Sequence, residues 1–113
     1  MSDDRLPTDM LVNATTRVAA QQGVPIVVLR KGDNSSGSLI LKINRLDGTA
    51  QVLTQVRFDE ELVWCPVTSA DAMPESEADD YLRRQTAMDP DGWLLEIEDR
   101  QGRHWFPGRI VRF

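Results

Sequence analysis

Only one cysteine, Cys65, and one histidine, His104, occur among the 113 residues of this chain. A lone cysteine cannot close an internal disulfide, so nothing points to an oxidising compartment. The same scarcity leaves too few soft ligands for a structural zinc site. No window approaches the roughly 18 uninterrupted apolar residues that a membrane helix needs, so no membrane association is expected. Met1-Ser2-Asp3-Asp4-Arg5 carries two acids and leads into Pro7 without an apolar run, which predicts no secretory or transit signal. By elimination, the cytoplasm is the expected compartment.

Hydrophobic residues at 41% and charged residues at 27% are ordinary for a folded globular protein. The length fits one domain over residues 1–113, with an N-terminal arm at 1–7 and a C-terminal tail at 105–113. The net charge of −5 is unevenly spread. Residues 59–91 hold ten acids against Arg83 and Arg84, a net of −8, whereas residues 100–113 hold four arginines and no acid, a net of +4. An acidic whole repels phosphates and disfavours nucleic acid as a partner.

Thr8 reads as the N-cap of a helix over residues 8–22, with Leu11, Ala14, Val18 and Gln22 on one face beside Met10, and Gly23 closing it. Val24 to Lys31 is apolar on both alternating faces, which predicts a strand placed centrally in a sheet. The turn-rich segment 32–37 then leads to a strand over 38–45, with Leu39, Leu41 and Ile43 facing inward. Asp47-Gly48 signals a hairpin into a third strand at 50–58. A fourth strand is expected at 62–67, where Pro66 marks an edge or an end. Pro74 opens a second helix with Ala78, Tyr81, Leu82, Gln85 and Met88 on one face, its acids early and Arg83 and Arg84 late, as the helix dipole favours. Trp93–Glu98 alternates as a last strand. The expected fold is α+β in the order α-β-β-β-β-α-β, a mostly antiparallel sheet of about five strands with two helices packed on it. Both helices on one face is the simplest arrangement, and a three-layer α/β/α sandwich is the alternative.

Three stretches together resemble a known family: Leu6-Pro7-Thr8, the run Val27-Val28-Leu29-Arg30-Lys31-Gly32-Asp33, and Asp89-Pro90-Asp91-Gly92-Trp93-Leu94-Leu95-Glu96-Ile97-Glu98-Asp99-Arg100 with Gly102-Arg103-His104. The chain resembles the short alphaproteobacterial proteins grouped as domain of unknown function 1491, from about Leu6 to His104. The resemblance implies a bacterial origin and brings no activity, cofactor or catalytic residue with it.

The tail interleaves Arg100, Arg103, His104, Trp105 and Arg109, and cations alternating with aromatics suit either a protein interface or single-stranded nucleic acid. With Trp64 and Trp93 these are the candidate binding residues. The competing expectation is that the tail packs on its own domain, its arginines answering the acidic helix. Asp89, Asp91, Glu96, Glu98 and Asp99 are the candidate ligands of a metal-dependent hydrolase or nuclease. Glu96 and Glu98 alternate with Leu95 and Ile97, however, as the wet side of a half-buried strand should. The expected function is a non-enzymatic binding or protein-interaction module whose partner is a second copy or another protein. No cofactor, metal or catalytic residue is assigned. His104 and Cys65 have no partners in a catalytic arrangement, and segment 32–37 lacks the lysine of a phosphate-binding loop.

Overall fold

The structure is a computed structural model and describes residues 6–113; most of the N-terminal arm therefore lies outside the described residues. Its elements are α1 (Thr8–Gln21), β1 (Ile26–Arg30), β2 (Leu39–Asn44), β3 (Thr49–Phe58), β4 (Glu61–Pro66), β5 (Met73–Pro74), α2 (Glu75–Met88) and β6 (Trp93–Glu98). The sheet order is β1-β6-β2-β3-β4, with the two-residue β5 pairing beside β4 on β3. All pairs are antiparallel except β2 with β6. The last strand thus inserts between the first two.

Alternation along β2 and β6 sorts the core into two clusters. Leu39, Leu41, Ile43, Leu53, Trp93, Leu95 and Ile97 pack with Val12 and Ala19 of α1. Ala50, Val52, Met73 and Leu94 pack with Ala78 and Leu82 of α2. Adjacent residues such as Leu94 and Leu95 fall in different clusters, so the helices lie on opposite faces. The layered alternative holds in place of the one-sided arrangement.

Helix α1 buries Thr8, Val12, Thr15 and Ala19, a stripe one residue away from the expected one; Met10, Ala14 and Val18 face solvent. Thr8 sets that rotation. It is the first helical residue rather than the N-cap, which is Pro7. Its hydroxyl donates to the Gly37 carbonyl at 2.9 Å, and the Asp9 amide donates to Asn34 O at 3.0 Å. Segment 32–37 therefore receives the helix start, and it also encloses Trp93. The Trp93 indole N–H donates to Asp33 O at 2.8 Å. A Cβ at Gly37 would stand 2.5 Å from Asp91 O and 2.8 Å from the Trp93 ring, a contact no side chain tolerates.

Helix α2 keeps its acids in the first turn but has no basic residue in its last. Arg30 of β1 takes that role, donating to the carbonyls of Thr86, Asp89 and Pro90 at 3.2, 2.8 and 2.7 Å. The end of α2 is thus tied to the end of β1.

Candidate functional site: one sealed edge, one open edge and a buried lysine

The two outer strands end differently. Along β4, the Trp64 amide donates to Arg109 O at 2.9 Å and the Val111 amide donates to Trp64 O at 2.8 Å. These bonds make a short parallel bridge between Trp64 and Ile110. The tail so covers the backbone edge of β4 at its middle residue, Trp64, one of the ways in which edge strands are kept from pairing with other chains.

Side chains hold the tail in place. Trp64 is wholly buried, and its indole N–H donates to Pro107 O at 2.9 Å. Phe106 and His104 pack against its ring with centroids 6.1 and 6.0 Å away. The Asp99 carboxylate is buried and accepts from Arg103 Nε at 2.8 Å, Trp105 Nε1 at 2.9 Å and the Gln101 amide at 2.8 Å. Arg103 lies 4.6 Å over the Trp105 ring, a cation–π contact. Trp105 has φ of 67°, a rare conformation for an aromatic residue, and these contacts hold it there. Arg109 pairs with Glu61 and Arg112 with Asp71. The tail's ion pairs are thus made with β4, the loop before β5 and Asp99; none reaches α2. Arg100 is exposed, and Trp93 sits in its loop socket within the same apolar cluster as Trp64 and Phe106, against which Trp105 also packs.

Burial alone would raise the Asp99 carboxyl, but the hydrogen bonds from Arg103, the Gln101 amide and Trp105 outweigh it and hold the group below its ordinary 3.8. A depressed carboxylate contributes stability that is present above the ordinary value and lost as pH falls through the folded one. Asp99→Asn is therefore expected to cost about 2 kcal/mol at neutral pH. Denaturant melts below pH 3.8 should show wild type and variant converging. A gap independent of pH would remove the charge from this account.

The opposite edge has no such cover. Among the described residues, β1 pairs on one side only, with β6. Its Val27, Val28 and Leu29 are 44, 44 and 47% exposed. The expected central strand is thus an outer one. Of β1, Ile26 alone reaches the core cluster beside α1, so the apolar run Val27-Val28-Leu29 is exposed on both faces rather than held between two covering layers. The backbone phase is set by the Glu98 amide, which donates to Pro25 O at 3.0 Å. With Ile26 opposite Ile97 and Val27 opposite Glu96, antiparallel alternation turns Val27 inward and the N–H and C=O groups of Ile26 and Val28 to the open edge.

Under α2 lies a charged cluster. Lys42, in the middle of β2, has a side chain only 4% exposed. Its ammonium meets Glu75 at 2.7 Å, Asp79 at 2.6 Å and Glu96 at 3.7 Å. Asn44 Nδ2 donates to Glu96 at 2.8 Å and Glu75 at 3.3 Å. Glu96 is therefore not on a wet face; its side chain is 15% exposed. Burial pulls the Lys42 ammonium down, but Asp79, Glu75 and Glu96 more than reverse this and raise it above its ordinary 10.5.

The other candidate metal ligands do not converge. Asp99 serves the tail, and Asp89 accepts from the Asp91 amide and Ser38. Among the described residues no group of three or more His, Cys, Asp or Glu is placed to hold a metal ion. Cys65 is a free, partly buried thiol. An open groove of about 1010 Å³ runs between the start of α1, residues 35–38 and the β3–β4 turn, and Leu39, Arg57, Glu60 and Leu62 are among the residues that line it.

These features define a small α+β protein on a mixed sheet with a helix on each face, one edge sealed by its own tail and the other open. The chain belongs to the family described as protein of unknown function (DUF1491), whose model matches residues 6–107. The match includes Trp105 and Phe106, beyond the span in which the resemblance is legible by eye. A crystal structure of a DUF1491 family protein from Caulobacter crescentus is 34% identical, with a TM-score of 0.84 over 95% of this chain and 100% of that one. An NMR structure of a DUF1491 family protein from the same organism is 36% identical, with a TM-score of 0.80 over 94% and 96%. The solution structure of protein Atu0922 from A. tumefaciens shares the fold, at 23% identity and a TM-score of 0.70 over 83% and 86%. Comparison with curated proteins finds no match. No helix among the described residues is long and apolar enough to cross a membrane.

Proposed function

We propose that this chain is a protein-interaction module that receives a β-strand along the open edge of β1. The carrying observation is the contrast between the two edges. The tail closes β4 with backbone hydrogen bonds, while β1 presents outward amides flanked by exposed valines. A docked strand gains its affinity from those main-chain groups and its selectivity from the apolar side chains beside them. In this reading Trp64, His104, Trp105, Arg103 and Arg109 serve the interaction indirectly, by keeping the sheet from growing at its other end. Trp93 supports it by fixing segment 32–37, just beyond β1.

The test is an NMR titration of the labelled chain with a synthetic peptide copying residues 24–31. The Ile26 and Val28 amides are expected to shift and to gain protection from exchange. Shifts confined to Trp105, Arg100 and the tail would overturn the reading in favour of a tail interface.

A further inference from the structure

We infer that the strand received at β1 is β1 of a second copy of this chain, paired antiparallel about Val27; this rests on the open-edge reading above. The register comes from the backbone phase. Ile26 and Val28 turn their N–H and C=O groups outward, and Val27 turns its own toward β6. Only residues with outward groups can exchange both hydrogen bonds across a new pair. Ile26 of one copy therefore faces Val28 of the other, reciprocally, and Val27 faces Val27 on the two-fold axis. That register uses the regular part of the strand and leaves out the irregularity between Val28 and Arg30. A two-fold pairing makes each contact twice.

Side-chain chemistry selects the same occupant and direction. A strand that covers β1 must be apolar on both faces, because Val27 and Val28 lie exposed on opposite sides. The strand Ile26-Val27-Val28 itself meets that requirement. Parallel pairing would set the cationic Arg30-Lys31 ends together. Antiparallel pairing about Val27 instead brings Lys31 of one copy beside Gly23 of the other, where α1 ends. That helix has no basic residue in its last turn, and Lys31 makes no ion pair among the described residues. A cation from the partner would answer the negative end of the helix dipole. A strand pair this short buries less than the roughly 1,200 Å² of a standard stable interface, so association should be weak and concentration-dependent.

Sedimentation velocity on the full chain tests this directly. Wild type is expected to pass from monomer to dimer as concentration rises. Val27→Lys and Val27→Glu, both at an exposed position and both checked for fold by circular dichroism, should each stay monomeric, because like charges then meet on the axis. Mixing the two should restore a dimer. A wild type that is monomeric throughout would overturn the self-pairing. If it nevertheless binds the 24–31 peptide, the open-edge reading survives; without peptide binding, both fall. A dimer unaffected by either variant would overturn the register.

Discussion

Replacing Lys42 with alanine is expected to lower the unfolding free energy by about 3 kcal/mol, read from urea denaturation at neutral pH. The change leaves Glu75, Asp79 and Glu96 gathered under α2 with no cation between them. Breaking a buried ion pair at one partner generally costs about 3–5 kcal/mol, because the remaining charge stays desolvated. The lower end applies here: Glu75 and Asp79 are 38 and 48% exposed and regain water, whereas Glu96 does not. Lys42→Met keeps the aliphatic stem against the sheet and should lose less than the alanine variant. Losses under 1 kcal/mol in both would mean that the cluster does not hold α2 to the sheet. The raised ammonium also sets an alkaline limit. Its contribution is fully present below 10.5 and is lost as pH rises through the higher folded value. Wild type should therefore lose stability in that window by a step that Lys42→Met lacks.

Trp64→Ala should cost about 3–5 kcal/mol, the usual range for removing a large aromatic side chain from a packed core. The indole fills the space between β4 and the tail, and its N–H satisfies Pro107 O. The second consequence is local. With the ring gone, Phe106 and His104 lose the surface they rest on, and the backbone bridge to Ile110 has little to retain it. Trypsin should then cut after Arg103 or Arg109 well before the rest of the chain. Trp64→Phe, which keeps the ring volume in part but lacks the donor, should cost less and delay that cleavage. Equal resistance of the tail in wild type and Trp64→Ala would show that its ion pairs to Glu61 and Asp71 suffice to dock it.

Strand boundaries were legible where turn chemistry was explicit. Asp47-Gly48 marks the β2–β3 hairpin, and the alternation from Trp93 to Glu98 matches β6 residue for residue. Hydrophobic periodicity misleads at α1, because a polar bond from Thr8 to Gly37 sets the helix rotation. It misleads again at β1, since alternation records which side chains avoid water and not whether a neighbour covers them. The Lys42 cluster had a readable trace that hydrophobic patterning passes over. A lysine interrupts Leu39-Ile40-Leu41-Lys42-Ile43, Asn44 shares its face, and Glu75 and Asp79 stand four apart on the following helix. Only the parallel β2–β6 pairing, a long-range feature with no local signature, shows that Glu96 joins them. The tail's aromatic and basic pattern was visible, but its partners Asp99, Glu61 and Asp71 are scattered along the chain.

The position of β6 bears on how the chain reaches its native state. Ile26 pairs with Ile97, and Leu41 lies between Leu53 and Leu95. Until Trp93–Glu98 has left the ribosome, β1 has no neighbour on either side and β2 only one. The β2–β4 meander can assemble early from local contacts, whereas closure of the sheet must wait for the last strand to slide into a reserved slot. Such non-local pairing slows folding, and the nascent chain meanwhile exposes strand edges that invite wrong partners.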